Sequence, residues 1–101
     1  MYEDAESNSA NILTELYNVV KQRIESRSSG SYTYSLHEKG LDEIVKKVGE
    51  ECIEVILSSK YQDKQRIISE LADLIYHLTV LMVEKEISFK DVFLELKKRR
   101  K

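Results

Sequence analysis

Three acids crowd into five residues at Glu50, Glu51 and Glu54, and two more, Glu70 and Asp73, repeat the three-residue step after a gap of fifteen residues. On a helix, residues three apart share a face with Cβ atoms ~5–6 Å apart, so each such pair can present oxygens to one point. If the two segments form an antiparallel hairpin turning near Gln62, Glu54 stands eight residues before the turn and Glu70 eight after it, with Glu51 and Asp73 each eleven away. Packed helices have axes ~8–10 Å apart, which lets the four side chains converge between them. Uncompensated, they would repel one another strongly, so a cation is expected among them. An all-oxygen set without a Cys or His pair favours a hard ion, Mg²⁺ with Mn²⁺ as the other candidate, which keeps several waters and reaches out to phosphates. Such an ion polarises phosphoryl oxygens, neutralises a pyrophosphate leaving group and activates water for in-line attack. Lys47, one turn before Glu51, and Lys60, near the hairpin end, would bind outlying phosphates.

For an isolated E-E-x-x-E the better reading is a solvated helix face. Glu70 argues against it here, because it falls near the centre of an apolar arc, where unpaired carboxylates are rare. His77 lies one turn beyond Asp73, level with Lys47 in the hairpin; it is either a hydrogen-bonding group near the acids or a packed helical histidine. Tyr76, Tyr32 and Tyr34 could stack on a base, although core or loop packing is the blander account of each. Cys52 reads as a buried thiol rather than a nucleophile.

These side chains need helices to hold them. Ile12, Leu13, Leu16, Val20 and Ile24 recur at helical spacing, which predicts a helix from about Ser9 to Arg27, capped by Asn8 or Ser9, with residues 1–8 frayed. Residues 28–40 read as a loop, with at most a helical turn around Tyr34 to Glu38 before Gly40. Leu41, Ile44, Val45, Val48, Cys52, Val55 and Ile56 mark the buried face of a helix from about Asp42 to Lys60. "YQDK" is a turn, and a third helix, apolar almost all round and therefore central, runs from Lys64 to Glu86. Ser88 with Asp91 resembles a capping box for a short last helix to about Arg99. Ile53 and Leu57 give the second helix another apolar face, which points to a homodimer extending the bundle. Gly49, costly inside a helix, predicts close approach by another helix or by substrate.

Composition narrows the function classes. A chain of 101 residues with no proline and three glycines reads as one all-α domain spanning 1–101. Net charge of −2 gives no electrostatic case for nucleic acid or an anionic membrane, and the basic tail from Lys97 to Lys101 suits a solvated helix end. No apolar run approaches the ~20 residues of a membrane span. One cysteine and no secretory leader predict the reducing cytoplasm.

E-E-x-x-E, fifteen residues, then E-x-x-D resembles the MazG-like all-α nucleotide pyrophosphohydrolases. The fuller strings "KGLDEIVKKVGEECIEVILSSK", "ELADLIYHLTVLM" and "ISFKDVFLELKKR", with "SYT" in the loop, resemble the phosphoribosyl-ATP pyrophosphohydrolase family of histidine biosynthesis, over about Ser31 to Arg99. The resemblance implies a helical bundle of four to five helices per chain and Mg²⁺-dependent hydrolysis of phosphoribosyl-ATP to phosphoribosyl-AMP and pyrophosphate. It also implies that Glu51, Glu54, Glu70 and Asp73 bind metal, that Glu50 is a further ligand or orients the attacking water, and that Glu50, Glu51 and Glu54 form the catalytic set. Lys47, Lys60, Ser31, Tyr32, Thr33 and His77 would then face the nucleotide substrate. Cys52 departs from the small residue, usually alanine, expected at its place. Two rivals stand beside this reading: a MazG-like pyrophosphatase for another nucleoside triphosphate, and a non-enzymatic helical dimerisation module whose acidic face binds a basic partner.

Overall fold

A computed structural model of the chain describes residues 2–60 and 63–100, with side chains described from residue 11 onward. Five helices follow one another: α1 (Tyr2–Glu25), α2 (Tyr32–Lys39), α3 (Leu41–Ser58), α4 (Lys64–Glu84) and α5 (Phe89–Arg99). There is no strand among the described residues, so the expected all-α class holds. The turn expected at "YQDK" falls partly on Tyr61 and Gln62, and the end of the basic tail falls on Lys101, all outside the described residues.

Local chemistry explains most boundaries. The Asp63 carboxylate accepts from the amides of Gln65 and Arg66 at 3.1 and 3.3 Å, satisfying two of the donors that open α4. Ser88 and Asp91 form the expected capping box: the Asp91 amide donates to Ser88 Oγ at 3.1 Å, and the Ser88 amide to Asp91 Oδ2 at 3.0 Å. Gly40 closes α2 and opens α3 at φ 99°, a conformation that side chains rarely adopt. Two helices end instead on left-handed residues that are not glycine. Arg27 (φ 52°) follows α1 and Glu86 (φ 56°) follows α4, each within paired amide bonds back to the last turn, from Arg27 and Ser28 in one case and Glu86 and Ile87 in the other.

Several expectations are corrected. Helix α1 begins at Tyr2, so Asn8 and Ser9 lie within it rather than at its start; no Gly or Pro interrupts the polar opening turns. Residues 32–39, expected as loop with one turn, form a two-turn helix, because the Ser31 hydroxyl accepts from the Tyr34 amide and starts it. No other helix of this chain closely approaches Gly49, since a Cβ built there meets nothing within 4 Å. The expected buried face of α3 is buried only in part. Ile44 is enclosed and Val48, Cys52 and Val55 are half-covered, whereas Leu41, Val45 and Ile56 are exposed.

The core is small, and its composition shows why. Val20, Leu36, Ile44 and Val80 are the fully buried hydrophobics, one from each of the first four helices, with Leu16, Ile24, Tyr76, Leu81 and Val83 packed around them. Helices α3 and α4 make the most extensive contact, the hairpin required for the acids to meet, and α1 and α2 cover the end of it where α3 begins and α4 finishes. The other end is bare: Ile53, Ile56 and Leu57 on α3 and Ile68, Leu71 and Ile75 on α4 are all exposed, Ile56 to 58 %. Helix α4 is therefore not enclosed all round, contrary to the central place its composition predicts.

The capping box at α5 yields an acid-dependent stability. Hydrogen bonds from the Ser88 backbone and side chain hold the Asp91 carboxyl below its usual 3.8, so its contribution is present above that value and lost as pH falls through the lower folded value. Ser88→Ala is expected to cost ~1 kcal/mol in urea denaturation at neutral pH. The difference between wild type and Asp91→Ala should stay flat above pH 3.8 and shrink on further acidification.

Candidate metal and substrate site

The α3–α4 hairpin brings Glu51, Glu70 and Asp73 together, with one oxygen of each within 4.8 Å of the others. Glu51 and Glu70 are half-buried and Asp73 is exposed, so the trio opens on one side to solvent. No ion pair among the described residues neutralises any of the three. The donor set is oxygen-only, without His or Cys, which fits a hard divalent cation such as Mg²⁺. The other two acids of the sequence motif stand apart from that cluster. Glu54 is half-buried, and Glu50 is exposed with its Oε2 3.9 Å from Lys47 Nζ.

The remaining expected residues divide by how fully the protein already engages them. Lys60 is exposed at the end of α3, and Lys47 is half-buried beside Glu50. Ser31 serves as the cap of α2. Thr33 is buried, and its hydroxyl shares a short hydrogen bond with Tyr76 Oη. His77 is 6 % exposed with both ring nitrogens engaged: Nδ1 lies 2.8 Å from the Asp73 carbonyl and Nε2 3.1 Å from Tyr32 Oη. A carbonyl oxygen only accepts, so Nδ1 carries the proton, and in the neutral ring Nε2 accepts from the Tyr32 hydroxyl. Both ring nitrogens are thus engaged within the protein, one on α4 and one on Tyr32.

The tyrosines form a cluster behind the acids. Tyr32 stacks on Tyr76 with ring centres 6.1 Å apart, and His77 meets both rings edge-on. Tyr34 sits against His37, whose Nδ1 in turn pairs with Glu84 and joins α2 to the end of α4. Burial, the largest cause, pushes the Tyr32 phenol above its usual 10.0; Lys47 draws it down, and Tyr76, Glu51 and Glu43 push it up. The phenol thus lies in the field of Glu51, one of the acid trio, and of Lys47.

Arg27 went unremarked in the sequence because it belongs to no motif. The left-handed turn after α1 carries it to an open cavity of about 520 Å³, shared with Ser29, Gly30, Ser31, Tyr32 and Tyr34. Its signal was a single cation within a run of serines beside "SYT". Tyr32 lines this cavity and is also a member of the aromatic cluster, so its ring is common to both.

Comparison with known proteins adds an independent finding. The family model described as phosphoribosyl-ATP pyrophosphohydrolase matches residues 13–100. A phosphoribosyl-ATP pyrophosphatase of Clostridium novyi is 52 % identical over 90 residues, 89 % of this chain and 82 % of its own length. One from Sulfurisphaera tokodaii is 50 % identical over 93 residues, 92 % of this chain and 99 % of that protein. A histidine biosynthesis bifunctional protein of Thermoanaerobacter pseudethanolicus is 52 % identical over 90 residues, 89 % of this chain but 42 % of its own.

Like charges of this half-exposed kind interact by up to about 1 kcal/mol a pair, so Glu70→Gln should raise the melting temperature in chelator by a few degrees. In Mg²⁺ the order should reverse. Wild type gains ~2.7 kcal/mol when the ion is present at a hundred times its Kd, and the variant gains little. Scanning calorimetry with and without ion checks both; a wild type indifferent to Mg²⁺ would remove the cation from the trio.

Proposed function

The chain belongs to the phosphoribosyl-ATP pyrophosphohydrolase family, and from that premise we propose that it hydrolyses phosphoribosyl-ATP between the α and β phosphates, giving phosphoribosyl-AMP and pyrophosphate as the second step of histidine biosynthesis. The observation that carries the reading is the convergence of Glu51, Glu70 and Asp73 oxygens within 4.8 Å in a chain half identical to proteins bearing that enzyme's name. Those enzyme relatives set aside the non-catalytic dimerisation module.

Glu51, Glu70 and Asp73 would hold Mg²⁺, with Glu54 from the next turn of α3 as a fourth ligand; Mn²⁺ would serve the same oxygens. When bound, the ion supplies charge neutralisation at the phosphates and a more acidic water. Glu50, which stands apart from the trio beside Lys47, would be a further ligand or would orient the attacking water. Lys47 and Lys60 offer cations to outlying phosphates, and Arg27 does so from the adjoining cavity. Ser31, Tyr32 and Thr33 shape the wall between cavity and cluster. The free Cys52 accords with the reducing cytoplasm.

The same reading includes a homodimer. The radius of gyration is 15.1 Å, against ~13 Å for a compact chain of this length. The exposed apolar residues at the bare end of the hairpin are the surface that a second copy would cover.

Two measurements test these statements. Pyrophosphate release is expected from phosphoribosyl-ATP with Mg²⁺ and not in chelator. It should be weak from ATP, dCTP and dUTP, and reduced at least a hundredfold by Glu54→Gln or Glu70→Gln, since each removes charge that offsets the barrier. Release confined to another triphosphate would move the chain's substrate to that nucleotide. Sedimentation equilibrium should give twice the 11.8 kDa chain mass for wild type and a smaller species for Ile56→Glu; a monomeric wild type would overturn the dimer.

A further inference from the structure

Among the acids' neighbours, one buried polar group reaches from the first residues of α2 to the helix that carries Asp73. His77 donates from Nδ1 to the carbonyl of Asp73 at 2.8 Å and accepts at Nε2 from Tyr32 Oη at 3.1 Å. The Asp73 carbonyl also lies four residues before the His77 amide within α4, so the imidazole is a second donor to an oxygen already in the helix ladder. The ring is thereby fixed to the turn from which the Asp73 side chain projects. At the other end, Tyr32 opens α2 beside capping Ser31, lines the Arg27 cavity and stacks on Tyr76, while neighbouring Thr33 bonds Tyr76. The ring is enclosed among Tyr32, Tyr76 and its own helix, and the described residues leave no buried side-chain polar atom without a partner.

We propose that His77 is a positioning residue that latches the start of α2 onto the Asp73 turn of α4, so that the cavity wall and the acid cluster are held in one register. The latch rests on the reading that the acids bind a divalent cation. It acts through backbone and hydroxyl, not on the reacting atoms, and it needs one side chain able to donate at one edge and accept at the other. Neutral imidazole meets that requirement; Phe meets neither half and Gln can keep the acceptor toward Tyr32.

The test measures Mn²⁺ binding by calorimetry in wild type, Tyr32→Phe, His77→Phe, His77→Gln and the Tyr32→Phe/His77→Phe double variant, each checked for helicity first. Removing an outer partner of a metal site commonly costs 10–100-fold in affinity, and here roughly tenfold is expected for each single Phe variant. The double variant should be no worse than the poorer single one, because both break the same connection. His77→Gln should recover most of the affinity. In pyrophosphate release the Phe variants should require more Mg²⁺, with the deficit shrinking at saturating ion. Loss of melting temperature with unchanged Mn²⁺ affinity overturns the latch, as do two single-variant losses that add in the double. If wild type itself binds no Mn²⁺, the metal reading fails and takes the latch with it, an outcome distinct from normal wild-type binding with unaffected variants. Should His77→Phe unfold the chain, Tyr32→Phe decides alone, since its half-exposed ring loses a single hydroxyl.

Discussion

Three carboxylates that lie within 4.8 Å of one another push apart the two helices that carry them. The hairpin of α3 and α4 closes despite that push, and the means are visible along it. Ser58 on α3 and Thr79 on α4 are fully buried, and each satisfies its hydroxyl on its own helix, Ser58 on the Val55 carbonyl and Thr79 on that of Ile75. Small, internally satisfied residues allow backbones to approach without orphaned polar groups. Val20, Leu36, Ile44 and Val80 then clamp one end. Repulsion in the middle is held by packing on one side of it.

Much of this was legible in the residues. The three-residue spacing of the acids, doubled across a turn, predicts a hairpin and a meeting point, and Glu51, Glu70 and Asp73 meet there. The capping box at Ser88 is local chemistry and was readable for that reason. Depth of burial was not. Leu41, Val45 and Ile56 lie on an apolar stripe, but a stripe says only that a face is to be covered, not that this one chain covers it. The two turns of α2 were also hidden, because Tyr, Thr and Ser are indifferent helix formers and the segment is short; Ser31 as cap and the tertiary bonds of Thr33 and Tyr32 outweigh propensity. His77 depends on a long-range contact with Tyr32, and Arg27 on a left-handed backbone turn, neither of which residue spacing encodes.

The site is asymmetric in a way that suits phosphate chemistry. Acids meet on the hairpin, Lys47 stands beside Glu50 on the same helix, and Tyr32 belongs both to the aromatic cluster with Tyr76 and His77 and to the cavity that Arg27 lines. Asp73 is the most open of the three acids, Glu51 and Glu70 being half-buried.

Helix α5 stands outside this arrangement. Its side chains from Lys90 to Arg100 are all exposed, and its attachment runs chiefly through α1, where Phe89 meets Tyr17 edge-on with ring centres 6.4 Å apart. So little burial makes it a separate unit of local opening: its amides should exchange with solvent through excursions that leave the hairpin intact, whereas those of α3 and α4 exchange only when the acid-bearing pair itself comes apart.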